Sequence, residues 1–212
     1  MPLQNKVDPW GNLVAVKARG EYLGNRGILH DKEKNILKPW AHKKWVICEL
    51  SFKGIKRRLF SDNKYSELFF LDEATALAAG HKPCAHCRRA RYSEFKKFWR
   101  QANGLSELES LSSEQMDSQL HKERVSSERT KKTFEASYGS LPDGTFIELN
   151  NGAHLVWENN IYRWSYQGYS RVEDSIAKNQ LVKVITPKTI VRMYSSGFKP
   201  LIHKSIRDVQ LG

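Results

Sequence analysis

The chain of 212 residues, 40% of them hydrophobic, has room for one large domain or two small ones with a real core. Its 35 basic side chains outnumber 23 acidic ones, and the net charge of +12 indicates a polyanionic partner, with a merely well-solvated basic surface as the alternative. No apolar stretch approaches the roughly 18 residues of a membrane span, and the N-terminus lacks the apolar region of a signal peptide. Three cysteines do not make a disulfide framework, so a cytoplasmic protein with metal-binding thiols is expected.

Two glycines three positions apart mark a candidate loop in the segment 22–31, YLGNRGILHD, after an expected strand near residues 13–16. Glycines would let the backbone approach a ligand closely, and Arg26 between them could hold a phosphate with its charge and planar donors. An ordinary hairpin turn explains the same pattern equally well. His30, beside Asp31, is a candidate metal ligand or one half of a hydrogen-bonded surface pair.

Residues 44–60 alternate in the manner of a β-hairpin with its turn near Gly54. Cys48 shares a strand face with apolar residues, so it is either an inert core thiol or a ligand that projects towards the cysteines further along the chain. The segment also carries the first concentrated basic patch, which we expect to contact nucleic acid: Lys53, Lys56, Arg57 and Arg58.

The most informative stretch is residues 68–89, LFFLDEATALAAGHKPCAHCRR. An apolar run of strand length is followed by Asp72, whose carboxylate can cap a helix, and by a run of helix formers. Gly80 suits the end of that helix, and a proline prevents the helix from resuming. Cys84 and Cys87 then follow at C-x-x-C spacing, which brings both sulfurs to one point at the tip of a turn, as half of a tetrahedral zinc site requires.

Residues 69–89 resemble the second half of the zinc-binding module of the Ada DNA-repair protein and related modules of some bacterial nucleases. The shared pattern is a strand, a short helix ending in Ala-Ala-Gly, and a proline-containing knuckle with C-x-x-C and a basic tail. Where that module has two upstream cysteines at C-x-x-x-C spacing, this chain has Cys48 and Phe52, so its methyl-acceptor chemistry is not carried over. The resemblance implies a DNA-repair setting and a zinc site. Since one upstream cysteine is missing here, we expect three cysteines and one histidine to hold the ion, with an unmetallated turn as the alternative. The expected cysteine ligands are Cys48, Cys84 and Cys87, and the histidines proposed for the fourth position are His30, His81 and His86.

A basic helix is predicted directly after the knuckle, over residues 88–100. Tyr92, Phe95 and Trp99 recur at helical spacing and form a stripe that should face the core rather than stack on bases. Basic side chains around this stripe could grip phosphates: Arg88, Arg89 and Arg91.

The middle segment, residues 105–137, is polar and helical in pattern, and its serines suggest a linker or a lid. Within it Asp117, His121 and Arg124 fall at positions i, i+4 and i+7, on one helix face. The carboxylate could orient the imidazole and raise its basicity, as a general base requires, and Arg124 could stabilise developing negative charge. These three are the candidate catalytic residues, and a solvated face held by Asp–His and Glu–Arg pairs is the alternative.

The last third of the chain has the turn signals of an antiparallel meander. Short strands are expected at residues 145–149, 154–157, 161–165 and 181–185. Thr186 and Pro187 suit the N-cap and first position of a helix that ends at Gly197.

Together these signals predict an α+β fold: an N-terminal β-hairpin and zinc-knuckle half, a helical middle, and a small C-terminal antiparallel sheet with a helix. The expected units are an Ada-like zinc-knuckle domain (1–104), a helical segment or lid (105–137) and a β-sheet subdomain (138–212). The expected function is that of a zinc-binding, basic cytosolic protein that binds DNA or structured nucleic acid in repair or modification. Two alternatives remain open: a nucleic-acid glycosylase or hydrolase using the catalytic face, and an adaptor for an acidic protein partner.

Overall fold

A computed structural model of the chain describes residues 1–54, 58–173 and 176–211, with residue 211 described by its backbone alone. Two six-stranded sheets and five α-helices are formed by these residues. The first sheet comes from the N-terminal part of the chain and the second, antiparallel sheet from the C-terminal part. The predicted α+β architecture is therefore confirmed.

The first sheet is mixed and has the strand order β2-β1-β5-β3-β4-β6. Its strands are Lys6–Val7 (β1), Leu13–Val14 (β2), Tyr22–Asn25 (β3), Val46–Glu49 (β4), Leu68–Phe70 (β5) and Lys82–Pro83 (β6). Strand β4 pairs antiparallel with β3 on one edge and parallel with β6 on the other. The second strand predicted within residues 44–60 therefore has no edge of β4 to pair with, and residues 55–57 lie outside the described chain.

The second sheet is antiparallel throughout, in the order β11-β10-β9-β8-β12-β7. Its strands are Phe134–Ser137 (β7), Phe146–Leu149 (β8), Gly152–Trp157 (β9), Asn160–Ser165 (β10), Gly168–Arg171 (β11) and Leu181–Val184 (β12). The four predicted strands of this region correspond to β8, β9, β10 and β12. Strand β7 comes from the segment predicted as the helical middle, so the second sheet begins before residue 138.

The helices are Glu73–Ala78 (α1), Arg89–Ala102 (α2), Ser113–Arg124 (α3), Lys188–Ser195 (α4) and Ser205–Leu211 (α5). The predicted cap of α1 is present, because Asp72 Oδ1 accepts a hydrogen bond from the Thr75 amide at 2.8 Å. Gly80 follows this helix with φ of +90°, a conformation that side chains other than glycine rarely adopt. The aromatic stripe of α2 faces the core as predicted, since Phe95 and Trp99 are both buried.

Two helix predictions differ from the structure in their details. Helix α4 has Pro187 at its N-cap, and the Thr186 hydroxyl accepts a hydrogen bond from the Phe146 amide at 2.8 Å instead of capping the helix. The hydroxyl thus ties the start of α4 to the second sheet. The helical middle is limited to α3, where Ser112 and Gln115 form a reciprocal capping box.

Helix α1 lies between the two halves of the fold and packs against both, and all of its residues are buried. Ala76 and Leu77 belong to the apolar cluster shared by the first sheet with α2, α3 and α4. Ala74 and Ala78 belong to the cluster beneath the second sheet. Since apolar burial stabilises by roughly 25 cal/mol per Å², packing on both sides fixes α1 and the cysteine-containing turn that follows it.

Candidate metal centre and neighbouring basic groups

Three cysteine thiols converge at one end of the first sheet. Cys48 lies on β4, whereas Cys84 and Cys87 lie in the turn between β6 and α2, the cysteine knuckle. Parallel pairing of β4 with β6 places Ile47 opposite Pro83, so the cysteines that follow these residues are neighbours. The three Sγ atoms lie within 4.8 Å of one another, which is close enough to share a metal ion.

Backbone amides of the cysteine knuckle point towards the sulfur atoms. The amides of His86 and Cys87 donate to Cys84 Sγ, and the amide of Glu49 donates to Cys87 Sγ. The pKa of Cys84 is lowered to about 4, mainly by a hydrogen bond from the Cys48 thiol and to a smaller extent by these amides, although burial opposes the shift. The same bond raises the pKa of Cys48, which holds the shared proton. The cluster therefore favours a thiolate, which is the form of cysteine that binds metals.

Two of the histidines proposed as the fourth ligand lie away from the thiols. His30 Nδ1 is 2.6 Å from Ser66 Oγ, and the imidazole stacks on Phe60 with 4.5 Å between ring centroids. His81 is fully buried, and its Nε2 accepts a hydrogen bond from Arg26 Nε at 3.1 Å. In the part of the chain that the structure describes, the metal-ligating cluster consists of the three cysteines, and His30, proposed as the fourth ligand, lies outside it.

His86 is the histidine that lies within the cysteine knuckle. Its side chain is exposed, and its ring meets the edge of Phe52 with 5.1 Å between centroids. Phe52, where the Ada-type pattern has its second upstream cysteine, thus contacts the knuckle without offering a ligand. A tetrahedral zinc ion on the three thiolates would take either His86, after a change of rotamer, or a water molecule as its fourth ligand.

The basic residues predicted to contact nucleic acid have different surroundings. Arg88 Nη1 and Arg91 Nη2 lie 2.8 and 2.6 Å from the carboxylate of Glu73, which is fully buried. Arg26 is also fully buried, so these three arginines are not free surface cations. The exposed residues of the set are Lys53, Arg58 and Arg89, while Lys56 and Arg57 lie outside the described residues.

The predicted catalytic face of α3 has partners from other parts of the fold. Asp117 forms a buried ion pair with Lys82 rather than orienting His121. His121 Nδ1 instead lies 3.2 Å from Arg124 Nη2, a contact in which the imidazole nitrogen must accept. Burial, followed by the charges of Arg124 and Lys43, lowers the pKa of His121 to about 4. The prediction that Asp117 raises the basicity of His121 is therefore wrong.

His121 is expected to remain neutral from about pH 8 down to about pH 5.5, because its lowered pKa lies below that window. A proton NMR titration, with the resonance assigned by His121→Gln, should show a constant imidazole shift over this range. The chain unfolded in urea provides the control, since its histidines should titrate near the ordinary value of about 6.5. A midpoint above pH 6 for His121 in the folded protein would contradict the arrangement described here.

A pair of guanidinium groups over one tryptophan was not predicted. The Cζ atoms of Arg26 and Arg124 lie 4.0 and 3.8 Å from the ring centroid of Trp45. Trp45 itself is buried and its ring also contacts His81, with 5.0 Å between centroids. The glycines on either side of Arg26 indicated a close approach of the backbone at that loop. Nothing in the sequence near Arg124 indicates that it contacts Trp45, about 80 positions earlier in the chain.

No family model, curated protein or solved structure matches the chain. The resemblance of residues 69–89 to the Ada zinc module accordingly stays a prediction. None of the helices in residues 1–54, 58–173 and 176–211 combines the length and apolar character needed to cross a membrane. The class of site is defined by its donor atoms: a cluster of three thiols, the ligand type that suits soft and borderline metals.

Proposed function

We propose that the protein binds zinc through Cys48, Cys84 and Cys87 and binds nucleic acid, DNA in particular, through the basic surface beside this centre. The observation that carries the proposal is the convergence of thiols from two separate segments to within 4.8 Å of one another. Inert core cysteines would not require backbone amides directed at their sulfurs, as Cys84 has. Among metals that accept thiolates, zinc is free of redox chemistry and readily adopts tetrahedral coordination.

The role proposed for the metal is a structural cross-link. Cys48 belongs to a strand whose neighbours Val46 and Ile47 are buried in the core, whereas Cys84 and Cys87 belong to an open turn. A shared ion would hold that turn against β4 and so fix the position at which α2 begins. When bound, zinc supplies cohesion and charge at this point, and the proposal assigns it no reaction.

Exposed cations adjoin the proposed centre and could meet phosphates. Lys53 Nζ lies 5.5 Å from the ring centroid of Phe52, whose ring in turn contacts His86 of the cysteine knuckle. Arg89 is exposed at the first position of α2, two residues after Cys87. Together with the net charge of +12, these side chains support a sequence-independent attraction to nucleic acid. The DNA-repair setting is supported by the Ada resemblance.

Binding of a duplex of about 20 base pairs should weaken steeply between about 50 and 200 mM salt, because each phosphate contact releases counterions. Replacing Lys53 and Arg89 together with glutamine should reduce the slope of log K against log salt by up to about 1.8, at about 0.9 per lost contact. Fluorescence anisotropy of a labelled duplex measures both quantities.

A matched control replaces two exposed cations at helix α5, in a different part of the sequence from the cysteine knuckle: Lys204 and Arg207, each with glutamine. This variant has the same net charge as the first, so a purely diffuse attraction would affect both variants equally. A larger effect of the first variant supports the proposed surface. No binding of DNA by the wild-type chain at 50 mM salt would overturn the nucleic-acid proposal and favour the protein adaptor.

A second candidate is an enzyme acting on nucleic acid, a glycosylase or hydrolase, and the contact between His121 and Arg124 favours it. Replacement of His121 with alanine should leave the affinity for DNA nearly unchanged under either function. Loss of turnover would identify the enzyme. Because Asp117 is paired with Lys82 and the imidazole is only weakly basic, binding is the better-supported conclusion.

A further inference from the structure

A cavity of about 510 Å³ lies between the N-terminal turn and the segment that follows α3. Its walls include residues 10–13, 36–40 and 129–131, and its floor includes Arg26, Trp45 and Arg124. The cysteines of the proposed metal centre are not part of its lining, so the cavity is a separate site. Its volume falls within the range of pockets that hold ligands of nucleotide size.

Each of the two arginines at the floor has a buried nitrogen without a hydrogen-bond acceptor among the described residues. Both are fully buried, and among the described residues Arg26 Nη2 and Arg124 Nε have no hydrogen-bond partner. Other nitrogens of the same groups are engaged, since Arg26 Nη1 donates to Gly11 O at 2.8 Å and Arg124 Nη1 donates to Gly80 O at 2.7 Å. A buried donor without an acceptor is costly, so an acceptor entering from the cavity would recover that cost.

The floor also has a surplus of positive charge. Lys131 lines the cavity and donates through Nζ to Ala78 O, and burial together with Arg124 lowers the pKa of Lys131 to about 7. The carboxylate that opposes this effect is Asp8, and its oxygens already accept hydrogen bonds from the amide and side chain of Asn12. Asp8 is also the carboxylate near Arg26, whereas the one near Arg124 is Asp117, which already forms an ion pair with Lys82. The cations of the floor thus outnumber the carboxylates available to them, which is the electrostatic setting of an anion site.

Aromatic side chains form part of the wall. Trp10 and Trp40 line the cavity and are partly exposed. Trp40 is supported by Trp45, with 5.6 Å between ring centroids, and Trp10 is held by a hydrogen bond from Nε1 to Glu148 at 2.9 Å. A cationic floor beside ordered indoles combines the two features that recognise a phosphate and a stacked base.

We propose that this cavity binds a mononucleotide unit, with its phosphate towards Arg26, Arg124 and Lys131 and its base against Trp40. Inorganic phosphate would leave most of the 510 Å³ unfilled, and an anion without a flat apolar part would leave the indole unused. The same chemistry is offered by a free nucleotide and by the phosphorylated end of a strand. The inference stands independently of the zinc centre and of the exposed basic surface.

The test is calorimetric titration of the full chain with adenosine 5′-monophosphate, alongside adenosine and inorganic phosphate. The monophosphate should bind at least about tenfold more tightly than either partial ligand, since it alone makes both kinds of contact. Lys131→Gln, a change at a partly exposed side chain, should weaken the monophosphate by about tenfold through loss of a charged contact. Trp40→Ala should weaken the monophosphate and leave inorganic phosphate unchanged.

Lys132→Gln is the matched control, because Lys132 is exposed and its Nζ donates to Lys122 O rather than to a cavity group. Equal affinity for the monophosphate and adenosine, no binding by the folded wild type, or wild-type affinity in Lys131→Gln would each overturn the proposal. A 5′-phosphorylated oligonucleotide and its unphosphorylated form distinguish the sources. Tighter binding of the phosphorylated strand than of the monophosphate identifies a strand end, and the reverse identifies a free nucleotide; either supports the site.

Discussion

Replacing Cys84 with serine is expected to abolish stoichiometric zinc binding and to lower the free energy of unfolding. The reduction cannot exceed the apparent binding free energy of the ion, which is about 10–16 kcal/mol for structural zinc, because that energy stabilises the folded state. The ion would join strand β4, which is buried at Val46 and Ile47, to the cysteine knuckle, so both would lose the cross-link. Elemental analysis of the purified protein and urea denaturation with and without a chelator measure the two effects.

Cys48→Ser and Cys87→Ser should reproduce the loss, because all three sulfurs belong to one cluster. His42→Ala is the matched control, since His42 lies outside that cluster, and it should retain one zinc per chain. His86→Ala tests the identity of the fourth ligand. Weakened zinc affinity in this variant would identify His86 as that ligand, and unchanged affinity would identify a water molecule. Zinc retained in Cys48→Ser would return Cys48 to the role of a core thiol, and no zinc in the wild type would overturn the centre.

The parts of the site that could be predicted from the sequence are those governed by local geometry. Asp72 caps its helix and Gly80 ends it because capping and left-handed backbone conformations depend on neighbouring residues alone. The C-x-x-C spacing brings Cys84 and Cys87 together for the same reason. Cys48 lies beside them, as one of its two predicted roles requires. Strand alternation alone could not decide between a core thiol and a ligand, because both roles fit its strand face.

The partners of charged residues could not be predicted in this way, because they are set by tertiary packing. Asp117 and His121 have the spacing of an interacting helical pair. In the structure, however, Lys82 of β6 forms the ion pair with Asp117, and Arg124 donates a hydrogen bond to His121. Arg26 was predicted to hold a phosphate from a surface loop, but its guanidinium is buried against Trp45 at the floor of the cavity. A side-chain pair at i and i+4 stabilises a helix by only a few tenths of a kcal/mol, so a buried ion pair with a residue from another element readily replaces it.

Replacing Glu73 with glutamine is expected to destabilise the protein by about 3–5 kcal/mol, the usual result of removing one partner from a buried ion pair. Glu73 is fully buried on α1 and faces the guanidinium groups of Arg88 and Arg91 at 2.8 and 2.6 Å. Its Oε2 also accepts a hydrogen bond from the Leu201 amide at 3.0 Å. Glutamine preserves the shape but removes the one fully buried counterion, which leaves Arg88 with Glu49 and Arg91 with Glu94, two carboxylates that are more than 40% exposed. Urea denaturation measures the loss.

Glu94→Gln separates burial from charge, because Glu94 also pairs with Arg91, at 2.7 Å, but its side chain is 47% exposed. That variant should cost less than about 1 kcal/mol, as exposed ion pairs do. Equal effects of the two variants would mean that the buried network does not hold α1 to α2. Since Arg88 directly precedes α2 and follows Cys87, the Glu73 variant should also bind zinc more weakly, whereas Glu94→Gln should keep wild-type affinity. A stable Glu73 variant with unchanged zinc affinity would show that the cysteine knuckle is positioned without this network.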